Sequence, residues 1–167
     1  MKASHYSIGC VAITKRKTGH AVEPPLAGGA AFRYIETSAL VAAGIERDAT
    51  AMHAVRGEGV RFASALTFAE TRRVLAAARQ RARLSPDQHQ SRLSWLRRFE
   101  RRCEIVEISS SVLARLGRPF AIEPVRSLDA IHLATIEALD EDPALIAVVT
   151  RDRRIAENAR AMGFRVE

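Results

Sequence analysis

The 167-residue chain has few cysteines and no long apolar run, and each of these absences excludes a class of protein. No apolar run approaches the ~18 residues of a membrane-spanning helix, so a membrane protein is not expected. Cys10 and Cys103 are far apart in sequence and form no CxxC motif. Such cysteine usage is typical of the reducing cytosol rather than of a disulfide-stabilised secreted domain. We therefore expect a cytoplasmic protein.

Motifs for common cofactors are also absent. Neither a Walker A motif nor a GxGxxG motif occurs in the sequence, which disfavours a nucleotide cofactor. The five histidines show no HxxxH pairing and do not group with a cysteine, so the sequence does not indicate a zinc site.

Lysine is absent after residue 17, and the charge of the chain is uneven. The formal net charge is +7. Residues 1–33 hold five basic residues and one acid, a net charge of +4, and the remaining 21 basic and 18 acidic residues leave +3. Because the larger part of the chain is only mildly basic, composition alone does not indicate nucleic-acid binding.

The first 31 residues lack a clear helical or strand period and end in "EPPLAGGAA", a Pro/Gly/Ala stretch typical of a linker. We interpret residues 1–31 as a basic, mostly flexible N-terminal extension and residues 32–167 as one domain. Two roles for the extension stay open at this point, a contact with RNA or acidic surfaces and an inert tail.

From residue 32 onward, short β-like runs alternate with helical stretches. This alternation predicts an α/β fold with a central, mostly parallel sheet. The "LIAVVT" run is apolar throughout and should be covered on both faces, whereas the alternating "EIVEIS" run should lie nearer an edge. The runs are "FRYI" (32–35), "VRFAS" (60–64), "EIVEIS" (104–109), "LIAVVT" (145–150) and a short strand after Gly163. The helical stretches are at about 37–56, 66–83, 86–102, 109–117, 127–140 and 153–162.

Four acids stand at the ends of these strands or in the first turns of the following helices. Glu36, in "FRYIETSAL", directly follows the first strand, and Asp152 follows the apolar strand by two residues. Glu70 and Asp129 lie near the starts of two helices. In parallel α/β folds, ligands bind beyond the carboxyl ends of the strands. The alternatives are a solvated turn for Glu36 and, for Glu70 and Asp129, a helix-dipole interaction of a few tenths to ~1 kcal/mol.

The four acids together indicate a functional site more strongly than any one of them does. Apolar neighbours of Glu70 and Asp129 predict that both helix starts are largely buried, and a buried charge needs a partner. Carboxylates gathered at one edge repel each other unless a cation or shared protons compensate. Oxygen ligands and an open coordination sphere suit Mg²⁺ or Mn²⁺. The apolar neighbours are Phe68, Ala69, Leu128, Ala130 and Ile131.

Four segments, in this order, resemble the successive blocks of PIN-domain proteins, and in particular VapC-type toxins of bacterial toxin–antitoxin pairs. They are "YIETSALVA", "ASALTFAETRRVL", "RSLDAIHLATIEAL" and "VVTRDRRIAENARAMGF". The resemblance implies a PIN-like α/β/α sandwich and a Mg²⁺- or Mn²⁺-dependent endoribonuclease that hydrolyses RNA phosphodiesters. It also implies a homodimer and a cognate antitoxin. By position, it assigns the metal site and catalysis to Glu36, Glu70, Asp129 and Asp152, with Thr37, Ser38 and Thr150 as polar neighbours.

One position departs from the pattern of the family, which usually has aspartate where this chain has Glu36. The additional carbon–carbon bond moves the carboxylate outward by roughly 1.5 Å. Since Mg²⁺ requires near-ideal octahedral geometry, the change is expected to weaken binding or to shift preference toward Mn²⁺.

Arginines on two adjacent predicted helices are candidates for RNA phosphate contacts, with salt-dependent binding. The alternatives are a solvated helix face and salt bridges in a dimer or antitoxin interface. Trp95, among apolar residues, is expected to pack in the core or an interface rather than to stack on a base. His132 lies one turn after Asp129, and we favour a packing histidine over a site contact. The candidate arginines are Arg72, Arg73, Arg79 and Arg81.

The leading hypothesis is therefore a metal-dependent ribonuclease toxin. The alternative, which Glu36 makes plausible, is a catalytically weak PIN-like module that binds RNA or an antitoxin. A third hypothesis, a phosphatase-like Mg²⁺ hydrolase, is disfavoured because no aspartate ends the first strand.

Overall fold

The computed structural model describes residues 30–167, and the predicted extension lies outside them except for its last two residues. Ala30 and Ala31 are buried, and the carbonyl of Ala31 accepts a hydrogen bond of 3.0 Å from the backbone N–H of Val60. The five strands are β1 (Phe32–Ile35), β2 (Val60–Ser64), β3 (Glu104–Val106), β4 (Ile146–Val149) and β5 (Arg165–Val166).

All neighbouring strands in the sheet pair in parallel, in the order β3-β2-β1-β4-β5. The predicted α/β fold is confirmed. All four residues of β4 are buried, and β3 lies at an edge, as their sequence patterns predict. Because β1 is central and pairs with β4, the carboxyl ends of these two strands lie side by side.

Seven α-helices connect the strands within residues 30–167. They are α1 (Thr37–Val41), α2 (Ala49–Arg56), α3 (Ala65–Gln80), α4 (Pro86–Glu100), α5 (Ser110–Arg115), α6 (Ser127–Glu137) and α7 (Arg153–Ala161). A π-helical segment (Ala42–Glu46) follows α1, and a short 3-10 helix (Pro143–Leu145) precedes β4. None of these helices has the length and hydropathy to cross a membrane.

The prediction of one continuous helix over residues 37–56 is wrong. Arg47 adopts a left-handed conformation with φ of 63°, and Asp48 caps α2 by accepting a hydrogen bond of 2.6 Å from the N–H of Ala51. A similar cap shortens the third strand, since Ser109 caps α5 and the strand ends at Val106 rather than at residue 109. Hydrogen bonds between short polar side chains and the backbone compete in this way with the regular backbone hydrogen bonds of a helix or strand.

The sheet separates two apolar layers, which confirms the α/β/α sandwich. Side chains alternate along β1, so Tyr34 packs into the layer with α5, α6 and α7, and Ile35 packs into the layer with α1 to α4. Leu133 of α6 and Phe68 of α3 are fully buried in these two layers. Burial of each such side chain contributes about 1.5–3 kcal/mol, so the layers fix α3 and α6 firmly against the sheet.

Trp95 packs in the apolar layer that contains α1 to α4, as the sequence predicts. Its ring stacks on Phe99 of the same helix, with a centroid distance of 5.5 Å, and lies directly over Gly44 of the π-helical segment. A Cβ atom at Gly44 would lie 2.0 Å from Cζ3 of Trp95, so only glycine fits there.

Substitution of Gly44 by alanine should therefore destabilise the protein by about 1–3 kcal/mol, because overpacking must displace the indole ring. The matched control is Gly117→Ala, where the new Cβ would meet an ordinary contact of 3.5 Å. Chemical unfolding of both variants tests the prediction. Equal stability of the two variants would contradict it.

Candidate metal centre

The carboxyl ends of β1 and β4 place two of the predicted site segments together. Ile35 pairs with Val149, and the backbone N–H of Glu36 donates a hydrogen bond of 3.0 Å to the carbonyl of Val149. Glu36 and Thr150 therefore lie next to each other where β1 and β4 end, at the edge of the sheet where parallel α/β folds bind ligands.

Glu36 is buried, with 4% of its surface exposed, so it is not a solvated turn residue. Its Oε2 atom accepts three hydrogen bonds, from the N–H of Ser38 at 2.9 Å, from the hydroxyl of Ser38, and from the hydroxyl of Thr150 at 2.8 Å. The same carboxylate caps the N-terminus of α1. Two of the three predicted polar neighbours, Ser38 and Thr150, thus fix one oxygen of Glu36. Its Oε1 atom accepts no hydrogen bond from residues 30–167.

Glu70 lies in the second turn of α3, with its side chain 25% exposed. Its Oε2 atom accepts a short hydrogen bond from the hydroxyl of Thr37 and contacts Nε2 of His132 at 3.0 Å. Burial acts to raise the pKa of Glu70, but the hydrogen bonds from His132 and Thr37 outweigh it and lower the pKa. Glu70 is therefore ionised at neutral pH, and its Oε1 atom has no hydrogen-bond partner in the described part of the chain.

His132 contacts the site directly, so the favoured interpretation of a packing histidine was incomplete. The residue is buried in α6, with 1% of its surface exposed, and its Nδ1 atom lies 2.8 Å from the hydroxyl of Tyr34. Its Nε2 atom lies 3.9 Å from Oε1 of Glu36. One potential ligand atom from each of Glu36, Glu70 and His132 falls within 4.8 Å of the others. Asp129 and His132 are one helical turn apart in the sequence, and this spacing was the feature that indicated a contact of His132 with the site.

We call the four carboxylates of Glu36, Glu70, Asp129 and Asp152 the acidic edge, and Asp129 and Asp152 form its second part. Burial, then the charge of Asp152, raises the pKa of Asp129, and the charges of Arg126 and Arg154 oppose this shift. Asp152 caps α7, where its Oδ1 atom accepts hydrogen bonds from the N–H groups of Arg154 at 2.8 Å and Ile155 at 3.2 Å. Neither aspartate belongs to the group of Glu36, Glu70 and His132 defined above.

The predicted burial of both helix starts is only partly correct. Phe68 and Ala130 are buried, but Ala69 is exposed and Leu128 is 49% exposed. Asp129 itself is half-buried. The starts of these two helices are thus only partly buried.

The chemistry of these groups fits a hard divalent cation. In Glu36, Glu70 and Asp152, protein donors occupy one carboxylate oxygen and leave the other without a partner among residues 30–167. Oδ2 of Asp129 is buried and also accepts no hydrogen bond from that part of the chain. A buried, unpartnered carboxylate oxygen beside another acid is unfavourable unless a cation compensates. Carboxylate oxygens are the ligands that Mg²⁺ and Mn²⁺ prefer.

The four candidate arginines differ in their surroundings. Arg72 forms an ion pair with Glu100 of α4, at 2.6 Å, within the same chain. Arg73 is exposed and follows Glu70 by three positions, which places both residues on one face of α3. Arg79 and Arg81 are exposed at the far end of α3, and Arg79 is about 14 Å from Glu70 along the helix axis.

Two further arginines, which were not predicted from the sequence, interact electrostatically with Asp129. Arg126 and Arg154 are exposed, and their positive charges lower the pKa of Asp129. Arg126 is the N-cap residue of α6, and Arg154 lies in the first turn of α7. The positions of these arginines within three residues of Asp129 and Asp152 could have indicated this interaction from the sequence.

Comparison with known proteins identifies the family. The PIN domain model matches residues 33–161, so the chain belongs to the PIN domain family. The chain is 36% identical over 137 residues to Ribonuclease VapC35 of two Mycobacterium tuberculosis strains, CDC 1551 / Oshkosh and ATCC 25618 / H37Rv. Each match covers 80% of this chain and 93% of the relative.

Two solved structures share the fold. VapBC2 from Rickettsia felis, bound to a DNA fragment from their promoter, aligns with a TM-score of 0.56 and 16% identity, over 81% of this chain and 97% of that chain. VapBC-1 from nontypeable Haemophilus influenzae aligns with a TM-score of 0.52 and 11% identity, over 81% of this chain and 96% of that chain.

The hydrogen bonds to Glu70 lead to a prediction on pH. In metal-free protein at neutral pH, Glu70→Gln should lower stability by about 1 kcal/mol, because hydrogen bonds to charged groups contribute more than neutral ones. Since the fold lowers the pKa of Glu70, this contribution is present above the ordinary glutamate pKa of about 4.3 and is lost as pH falls through the folded pKa. Urea unfolding with chelator, at neutral and acidic pH, tests this. A stability difference that does not shrink in acid would contradict it.

Proposed function

We propose that the protein is a metal-dependent endoribonuclease that acts as the toxin of a VapC-type toxin–antitoxin pair and hydrolyses RNA phosphodiesters. The acidic edge carries this proposal, because four carboxylates each present an oxygen without a protein donor and Oδ2 of Asp129 is buried without a partner. Membership of the PIN domain family and the 36% identity to a relative named as a ribonuclease support the reaction class.

Glu36, Glu70, Asp129 and Asp152 would hold Mg²⁺ or Mn²⁺. A bound divalent cation supplies charge neutralisation at the scissile phosphate and acidifies a water molecule for attack. The protein positions the reacting groups. Ser38 and Thr150 hold Glu36, Thr37 and His132 hold Glu70, and the first turn of α7 holds Asp152.

Exposed arginines next to the acids would bind the phosphates that flank the cleaved bond. The exposure of Arg73 three positions after Glu70 supports this proposal, as do the charges of Arg126 and Arg154, which lower the pKa of Asp129. Guanidinium groups bind phosphate oxygens in a bidentate manner, and such binding weakens as salt concentration rises. Arg79 and Arg81 would contact RNA only at a distance from the reacting phosphate.

Glu36 favours an active enzyme over the catalytically weak binding module. Its longer side chain does not point into solvent but is fixed by three hydrogen bonds at the first strand end. The other partner assignments follow from the VapC resemblance. We propose a cognate antitoxin, a homodimer and a cytoplasmic location.

The test is cleavage of a structured RNA pool by the purified protein with Mg²⁺, with Mn²⁺, and with excess chelator. We expect cleavage with at least one metal, complete loss in chelator, and recovery when the metal is added back. The control variant is Glu141→Gln, an exposed acid remote from the acidic edge, which should cleave as wild type does. If RNA survives with both metals and expression does not arrest growth, the binding-module alternative is correct.

A further inference from the structure

Tyr34, His132 and Glu70 form a continuous hydrogen-bonded series that joins the buried core to the acidic edge. Tyr34 lies in β1 and is fully buried, with its hydroxyl 2.8 Å from Nδ1 of His132. Nε2 of His132 lies 3.0 Å from Oε2 of Glu70. The rings of Tyr34 and His132 also meet edge to face, with centroids 6.1 Å apart and an interplanar angle of 73°.

The chemistry of the end groups fixes the direction of these bonds. An ionised carboxylate only accepts hydrogen bonds, so Nε2 must carry a hydrogen that it donates to Glu70. In the neutral ring, Nδ1 is then the acceptor. Burial, with the charge of Glu36 as the next cause, raises the pKa of Tyr34 well above its usual value, so the phenol stays protonated and its O–H donates a hydrogen bond to Nδ1.

A protonated Nε2 has no lone pair with which to bind a metal ion. The spacing of Glu36, Glu70 and His132 would suit a mixed nitrogen and oxygen site, but the hydrogen-bond pattern makes His132 a donor. Mg²⁺ requires ligands in near-ideal positions, and glutamate has several rotatable bonds, so a glutamate ligand must be held in place by other residues. Two donors on the same oxygen, from Thr37 and His132, restrict the carboxylate of Glu70 and direct its Oε1 atom away from them.

We propose that His132 is a positioning residue, not a metal ligand: its Nε2–H group fixes Glu70 for the cation, and Tyr34 holds the ring from Nδ1. This inference rests on the metal centre proposed above. The centre is then an all-oxygen site, in which one fully buried tyrosine determines the arrangement of a carboxylate that it does not touch.

The first test needs neither metal nor RNA. Nitrogen-15 NMR of the histidine rings in metal-free protein, at about pH 8 where an ordinary imidazole is neutral, reports which ring nitrogen carries the hydrogen. We expect His132 to be protonated on Nε2 and unprotonated on Nδ1, with the Nδ1 lone pair accepting the hydrogen bond from Tyr34. A ring protonated on Nδ1 alone would overturn the proposal.

The second test is calorimetric titration of His132→Ala, His132→Gln and Tyr34→Phe with Mn²⁺. Glutamine places an amide N–H₂ at the position of Nε2, so His132→Gln should bind Mn²⁺ nearly as wild type does, and His132→Ala should bind about 10–100-fold more weakly. Tyr34→Phe should fall between them. If glutamine weakens binding as much as alanine, His132 is a ligand. If alanine leaves the affinity unchanged, the residue only packs.

Unfolding curves of the variants separate these effects from loss of fold. If His132→Ala does not fold, the NMR measurement and His132→Gln still decide the question. If the wild-type protein binds Mn²⁺ but does not cleave RNA, only the proposed function is contradicted. The calorimetric comparison of the variants would still test whether His132 positions Glu70.

Discussion

Asp129→Asn is expected to reduce RNA cleavage by at least about 100-fold, since loss of residues that only orient metal ligands already costs 10–100-fold. The asparagine keeps the shape of the side chain but removes the negative charge. Oδ2 of Asp129 is buried without a protein donor, which makes it the carboxylate oxygen that most requires a cation. The variant should therefore bind Mn²⁺ more weakly in calorimetry and should cleave RNA only slowly.

The same substitution should leave metal-free protein at least as stable as wild type. Burial and the charge of Asp152 raise the pKa of Asp129, so its ionised form is unfavourable in the fold. Asparagine removes that charge at neutral pH. The gain should shrink as pH falls through the pKa of Asp129, because protonation removes the same charge from the wild type.

The matched control is Asp140→Asn. Asp140 is exposed and has φ of 52°, a backbone conformation that asparagine also adopts readily. This control should retain both activity and stability. Full activity of Asp129→Asn, or unfolding of that variant, would contradict the assignment of Asp129 as a metal ligand with an unfavourable charge.

Glu36→Ala should abolish cleavage and also destabilise the protein by about 2 kcal/mol or more, because it leaves donors unpaired and removes the cap of α1. The donors are the N–H and hydroxyl of Ser38 and the hydroxyl of Thr150. Urea unfolding and the RNA cleavage assay measure the two effects separately.

Glu36→Asp is the informative companion variant. Aspartate is among the best N-cap residues, and PIN-domain proteins usually have it at this position, so we expect cleavage to be retained. Its shorter side chain should lose the 2.8 Å contact with Thr150, at about 1 kcal/mol of stability. A total loss of cleavage in this variant would show that the length of glutamate is required.

Much of the fold follows from the sequence because its signals are local. Continuous apolar residues identify β4, and alternating ones place β3 at an edge. Ser85 and Pro86 mark the start of α4, where Ser85 and Gln88 form a capping box. The break after Glu46 was missed because Asp48 as an N-cap competes with a sequence that otherwise has good helical propensity.

The site was predictable in part for the same reason. Glu36 and Asp152 follow apolar strands, and parallel pairing of β1 and β4 places them at one edge. The contacts between elements were not predictable. The bond from His132 to Glu70 joins two helices that are far apart in sequence, and the ion pair of Arg72 with Glu100 depends on how two consecutive helices pack. The close approach of Trp95 to Gly44 likewise depends on how α4 packs on the π-helical segment.

The central claim is that the acidic edge binds a divalent cation, and a crystal structure with Mn²⁺ tests it most directly through anomalous scattering. We expect an anomalous peak at about 2.0–2.6 Å from a carboxylate oxygen of Asp129, with Glu36, Glu70 or Asp152 completing the shell. The peak should be absent in Asp129→Asn. An active protein with no peak at this edge, or with a peak elsewhere, would contradict the account.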